Sequence, residues 1–206
     1  MKTLKALLLI LILTGTSNLF AQTARLQVIH NAADVAAASV DIYLWNTTDD
    51  QRVVKLDAFA FRNATPFVDV PAEKDLSVII AGPASASETD QVIATIPAGS
   101  LADMETYVLF ANGVLDPSSY AANPDAVSTA FELLVKPMAR EAALGDNVEF
   151  FVLHGATDAP TVDVYEIGMG AGEIINDLMY GDFAGYLELG TMDYILEIRD
   201  ETGESS

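Results

Sequence analysis

Past its first two dozen or so residues the chain alternates apolar and polar side chains in short runs, closed by Gly, Pro, Asn or Asp. Period two in runs of this kind reads as β-strand. Leu26, Val28 and His30 share one face of a first strand. Val40, Ile42 and Leu44 share a face of the next, with Asp41 and Tyr43 opposite. Further strands are predicted over Phe67–Val70, Ser77–Ala81, Val92–Ile96, Tyr107–Ala111 (running into the turn pair Asn112-Gly113) and Phe131–Val135. Seven such strands in about 110 residues predict a small antiparallel β-sandwich; a barrel of similar strand count stays open as an alternative. Two facing sheets would bury Leu26, Val28, Ile42, Leu44, Val78, Ile80, Val108 and Phe110 between them. The one helix-like stretch in this part of the chain is Pro137–Leu144, a linker turn.

The pattern then repeats. Residues 25–43, RLQVIHNAADVAAASVDIY, are echoed by residues 149–165, EFFVLHGATDAPTVDVY. Both run apolar strand, His, small residue, Ala, x, Asp, turn, V-D-[IV]-Y. The likeness continues from Asp57–Val70 to Asp177–Leu189 and from Asp75–Ile80 to Asp193–Ile198. Collinear blocks with drifting offsets are the mark of tandem units. The first unit spans residues 22–136, residues 137–146 link it, and the second occupies 147–206. Nothing in the second answers to QVIATIPAG, METYVLFANG or FELLV of the first, so it is expected to be incomplete and the chain a fragment of a longer protein. A natural half-domain would leave strand edges unpaired.

Composition narrows the function classes. Of 206 residues 51% are hydrophobic and 19% charged, enough for a core and too apolar for a disordered acidic tail. Thirty acidic residues against ten basic give a net charge of −20, which argues against nucleic acid and against anionic lipid surfaces. There is no Cys, so disulfides, thiolate metal sites and thiol nucleophiles are excluded. Residues 1–21 carry Lys2 and Lys5 ahead of the apolar run Leu7–Leu13 and a small, polar stretch. That reads as a signal-peptide helix cleaved near Ala21, and the run is about half the ~20 residues a membrane span needs. The expected location is the cell surface or the medium of a bacterium, with no membrane insertion after cleavage.

The motifs VIHNAADVAAASVDIY and VLHGATDAPTVDVY resemble the domain of unknown function 4397 family, whose units open with a strand, a His-small-Ala/Ser-x-Asp-Ala-Pro turn and V-D-V-Y. The resemblance covers the mature chain as one complete and one incomplete copy. It implies exported, tandem, Ig-like β-sandwich units with no established activity. The first copy departs from the pattern: its turn, DVAAASVD, has no Pro.

Chemistry rests on few residues. His30 and His154 are the only histidines and hold equivalent positions, His30 near Asp34 and Asp41, His154 near Asp158 and Asp163. Each closes an apolar face, which suits a ring that fixes its own turn; with Tyr43 and Tyr165 these residues form the repeat motif and are expected to be structural. The catalytic alternative, a hydrolase using a His-Asp pair, lacks a G-x-S-x-G nucleophile elbow. Gly168–Gly172 (GMGAG) has no following Lys and no βαβ context, so it reads as a hairpin loop rather than a phosphate loop. No cofactor is required. The candidate cation is calcium, which takes six to eight oxygens, with Asp49, Asp50, Asp158 and Asp163 as ligands and the pair Asp200-Glu201 as a further acidic spot; solvated charge is the plainer reading of all of them. Charge is uneven: residues 22–145 hold 16 acidic and 7 basic side chains, residues 146–206 hold 14 and 1. Trp45, the sole Trp, ends the strand VDIYLW and packs the core or its rim; in a carbohydrate-binding module it would stack on sugar, with Tyr43 and Tyr165. The sequence therefore predicts an exported, non-catalytic β-sandwich protein, a structural, adhesive or binding module for an unidentified polymer, glycan or protein.

Overall fold

The computed structural model describes residues 22–200 and 203; the signal-peptide segment and Glu201 lie outside the described residues. The described chain is all-β. Its strands are β1 (Thr23–His30), β2 (Ser39–Asn46), β3 (Gln51–Ala60), β4 (Val68–Pro71), β5 (Asp75–Ala81), β6 (Val92–Ser100), β7 (Thr106–Asn112), β8 (Glu132–Lys136), β9 (Val148–Leu153), β10 (Val162–Glu166), β11 (Gly172–Leu178), β12 (Phe183–Leu189) and β13 (Leu196–Asp200). Two three-residue 3-10 turns, Val35–Ala37 and Pro117–Ser119, are the only helical pieces among the described residues. The sheets are open, so the barrel alternative falls away.

The first eight strands form two four-stranded sheets, ordered β4-β1-β7-β8 and β3-β2-β5-β6. They pack through Leu26, Val70 and Leu109 on one side and Val40, Ile42, Leu44, Leu76, Val78 and Ile80 on the other. The arrangement departs from the sequence reading in three places. β3 is an additional strand. Its pairing with β2 is interrupted by two register shifts, and Ala58 sits at φ 47°, so the period of two that would announce it is broken. Second, β1 pairs with β7 in parallel, from Arg25 opposite Thr106 to His30 opposite Ala111, so the sandwich is not purely antiparallel. Third, β7 turns the other way. Leu109 enters the core, whereas Val108 and Phe110 face outward and are buried with Ala139 against Phe151, Leu153 and Phe183. A strand buried on both faces is apolar at every position, and its parity cannot be read from composition.

The later five strands repeat the pairing of the first five. β1 pairs β4 and β9 pairs β12; β2 lies between β3 and β5, and β10 between β11 and β13. Asp41 faces Ala81 and Asp163 faces Arg199, which sets Ile198 in the place of Ile80. At the third-strand bulge, Ala58 N–H donates to Asp41 Oδ1 and Asp177 N–H to Asp163 Oδ1, each at 2.8 Å, with φ of 47° and 53°. Asp177 thus occupies the position of Ala58, one residue on from the Asp57 alignment suggested by sequence. Among the described residues the later strands include no counterpart of β6, β7 or β8. Their core is correspondingly small: Val162, Val164, Ile175 and Leu178.

The two parts are joined by more than the linker. Phe110, Phe151 and Phe183 meet with ring centroids 5.5–6.0 Å apart. Asn31 Nδ2 donates to Asn112 Oδ1 at 2.8 Å, and Asn112 Nδ2 donates to Tyr180 Oη at 3.0 Å. Asn112, read as half of a turn, is therefore a fully buried bridge. The linker stretch 137–146 is pinned, not helical: Ala139 N–H donates to Thr106 O, Glu141 pairs with Arg25, and Arg140 with Glu149.

Candidate functional site

The two histidines have matching surroundings. In His30, Nε2 lies 2.7 Å from Ala37 O, and Nδ1 accepts the Ala32 N–H at 3.3 Å. In His154, Nε2 lies 2.8 Å from Pro160 O, and Nδ1 accepts the Ala156 N–H at 3.4 Å. A backbone carbonyl only accepts and a backbone N–H only donates, so both rings are bound as the neutral Nε2–H tautomer. Burial pushes His30 below its ordinary pKa of 6.5, against the opposing pull of the Ala37 carbonyl. Neither ring bonds an Asp. Asp34 instead caps the first 3-10 turn through Ala36 N–H and holds Leu115 N–H, both at 2.8 Å. The turn in the second unit is held from outside: Asp125 accepts Thr161 N–H and Oγ1–H, and Asn123 Nδ2 donates to Thr157 O and Ala159 O. Asp158 stays exposed on that turn.

Asp41 is fully buried on the outer face of β2. It accepts Ser85 N–H at 2.8 Å, Ser85 Oγ–H at 2.7 Å and the Ala58 N–H, with Lys55 Nζ 3.8 Å away. Burial alone would raise its carboxyl; these donors and the Lys55 charge outweigh it and leave the group below the ordinary carboxylate value. Tyr43 Oη meets Ser85 Oγ at 2.8 Å, and the ring is fully buried. Tyr43 is therefore unable to stack on a ligand, a correction to the sequence reading. In Tyr165 the hydroxyl donates to Glu173 and the Arg199 guanidinium covers the ring at 4.1 Å, so that face is taken too. Trp45 is half-buried, reaches Asp50 through Nε1 at 3.3 Å, and borders a shallow surface groove with Ile79, Glu88 and Val92.

The candidate calcium ligands are dispersed. Asp49 is held by Lys74 at 3.0 Å and Asn46 Nδ2 at 2.9 Å; Asp50 serves Trp45; Asp163 holds the β11 bulge; Asp158 lies on a separate turn. Among the described residues no group of three or more His, Asp or Glu is placed to hold a metal ion. The Gly168–Gly172 stretch is the β10–β11 hairpin loop, as its sequence suggested. It is organised by Glu166, which the sequence did not single out. Its buried carboxylate accepts N–H groups from Gly168, Met169, Ala171 and Ile195. Burial would raise Glu166, and this ring of donors more than offsets it, leaving the carboxyl below its usual range.

A groove of about 560 Å³ lies on the open side of the second unit. Val152, Val162, Val164, Leu178 and Ile198 form its floor, His154 and Asp158 stand at one end, and Phe61 and Arg62 of the first unit border it. Its apolar floor is the interior of the β9–β13 sandwich. Ile198 is 51% exposed where Ile80 is 3%, and Leu196 48% where Val78 is 3%. Compared with known proteins, the chain matches no family model and no curated protein.

Proposed function

We propose that this is an exported, non-catalytic repeat protein, related to the domain of unknown function 4397 family, serving at the bacterial surface or in the medium as a structural, adhesive or binding module. Its units are Ig-like in having two packed sheets of modest size. Their strand order is their own, since β1 lies between β4 and β7, whereas an immunoglobulin constant domain orders its strands A-B-E-D and C-F-G. The observation that carries the non-catalytic reading is the matched pair of histidines. A general base needs a ring nitrogen free to take a proton from substrate, and both nitrogens of both rings are spent on backbone. The recurrence of the motif, with the same five-strand pairing, supports duplication of one unit. The acidic surface, net −22 for residues 22–206, favours solubility and glycan, polymer or protein partners over nucleic acid.

The test is expression of the whole chain in a secreting bacterial host. Mature protein beginning at Gln22 outside the cytoplasm is the expected result; uncleaved protein in the cytoplasm or inner membrane refutes export. A second reading, a carbohydrate-binding module, rests on Trp45 in its groove. Titration of Trp45 fluorescence with soluble polysaccharides, and its loss in Trp45→Ala, tests it.

A further inference from the structure

We propose that the groove beside Trp45 binds an amine-bearing sugar, a hexosamine unit of a glycan whose amino group is free and protonated. The inference rests on the carbohydrate reading of Trp45 given above and adds the charge of the ligand to it.

The groove lies on the outer face of the β3-β2-β5-β6 sheet and measures about 640 Å³, within the ~300–1,000 Å³ usual for small-ligand clefts. Trp45 of β2, Ile79 of β5 and Val92 of β6 line it with apolar surface. Trp45 packs on the buried cluster of Tyr43, Ile79 and Ala81, so the indole is seated from below while half of it stays in solvent. Thr89 and Thr95 add two exposed hydroxyls. Asp50 and Glu88 add two carboxylates, from connections at opposite ends of β5. The connection that carries Glu88 and Thr89 is tied down: Ser85 bonds the buried Asp41, Ala86 N–H donates to Asp90 Oδ2 at 2.8 Å, and Gly82 N–H donates to Gln91 O at 2.9 Å. The site is therefore built in advance of its ligand.

Charge chooses the occupant. Asp50 accepts the Trp45 Nε1–H through Oδ1, which leaves Oδ2 open. The half-buried Glu88 carboxylate has no hydrogen bond or ion pair among the described residues. No cation lines the groove; Arg52, the residue of β3 in register with Trp45, is exposed and outside the lining. A neutral or acetylated sugar would cover the indole and meet the hydroxyls, yet it would desolvate the Glu88 carboxylate without a counter-charge. A lysine side chain would answer the carboxylates and the indole face, leaving the threonine hydroxyls and the apolar floor without partners. A hexosamine answers all three: its C–H face covers Trp45 and Ile79, its hydroxyls meet Thr89 and Thr95, and its ammonium meets the carboxylates as a charge-assisted donor.

The probe is the β-linked glucosamine tetramer, titrated into the whole protein at mildly acidic pH by calorimetry and by Trp45 fluorescence. The N-acetylated tetramer and a lysine tetrapeptide are run beside it. Saturable binding of the glucosamine tetramer, weakened by added salt, is expected, with the N-acetylated tetramer and the peptide at least about tenfold weaker. Trp45→Ala abolishes binding in calorimetry. Glu88→Gln, on a surface connection, weakens the glucosamine tetramer about tenfold and leaves the N-acetylated one unchanged, which a merely structural role for Glu88 would not do; should Trp45→Ala unfold the domain, Glu88→Gln decides. Equal binding of the two tetramers, or no effect of Glu88→Gln, overturns the proposal while the carbohydrate reading stands. Tighter binding of the peptide than of either sugar overturns the choice of ligand, and binding of neither sugar overturns the proposal and the carbohydrate reading together.

Discussion

Replacing His30 with Phe tests whether the motif histidine holds the fold. The ring sits between Phe59 and Phe61, with centroids about 6 Å away, so Phe keeps the packing and deletes the two hydrogen bonds. Ala37 C=O and Ala32 N–H are then left buried and unpaired. At about 1–3 kcal/mol for each orphaned group, the variant loses about 2–6 kcal/mol. Urea unfolding read by Trp45 fluorescence reports on the right unit, because Trp45 is the sole Trp and lies on β2. With a slope of about 1–3 kcal/mol/M, the midpoint falls by about 0.7 M or more. Titration adds a second signature. His30 in the fold lies below its ordinary 6.5, so below that pH the unfolded chain binds a proton that the folded ring refuses. The stabilisation is complete above pH 6.5 and declines as pH falls below it, at no more than about 1.4 kcal/mol per pH unit; His30→Phe loses this decline. A variant within about 0.5 kcal/mol of the parent, with an unchanged pH profile, refutes the structural assignment and returns the ring to the list of reactive groups.

Other outcomes follow from the same coordinates. Ile80→Ala removes three buried carbons at about 0.8 kcal/mol each plus a cavity contribution, about 3–4 kcal/mol in all, while Ile198→Ala, half in solvent, costs about 1 kcal/mol; equal costs in urea melts would mean that the groove is closed. Glu166 lies below its ordinary value of 4.5, so its contribution is present above that pH and lost as pH falls through the depressed folded value; circular-dichroism melts of Glu166→Gln between pH 3 and 7 should show a lower melting point at neutral pH and a flatter acid limb. Gly155→Ala drives a Cβ into Asn31 and Asn112 and costs about 1–3 kcal/mol, read as a circular-dichroism transition that separates from the Trp45 transition.

What could be read from the sequence was what is local or one-sided. Each histidine bonds within its own turn, six or seven residues away, so the strand-His-turn unit was visible as a string. β1, β2 and β5 each have a recognisable inward set, and Leu26, Ile42, Leu44, Val78 and Ile80 were placed correctly in the core. The rest depends on distant partners. Nothing near Asp41 announces Ser85, 44 residues on, and nothing near Asn112 announces Tyr180, 68 residues on. Val108, Leu109 and Phe110 are equally apolar and face opposite ways, because one side meets the sandwich interior and the other meets Phe151 and Phe183. Trp45, whose strand-end position suggests packing in the core or at its rim, is half-buried and borders a surface groove.

This double use of β7 sets the balance of stability between the two parts. Among the described residues, fourteen buried apolar side chains share the first unit's main core; the second has four. At about 1.5–3 kcal/mol for each fully buried large aliphatic side chain, the second core supplies little against the ordering of more than fifty residues, and domains of about 60 residues are marginal even when closed. Val152, Ile174, Ala184 and Leu187 pack partly buried against it, and further burial comes from the neighbour: Phe151 and Phe183 on Phe110, Tyr180 on Asn112, and Thr161 on Asp125. The second unit is therefore a client of the first. Residues 22–146 expressed alone should fold and melt cooperatively, and residues 147–206 alone should give a disordered amide spectrum that sharpens when the two pieces are mixed. A well-dispersed spectrum from 147–206 by itself would show that the open sandwich is self-sufficient, and the Phe110 contact would then be an association of two independent domains.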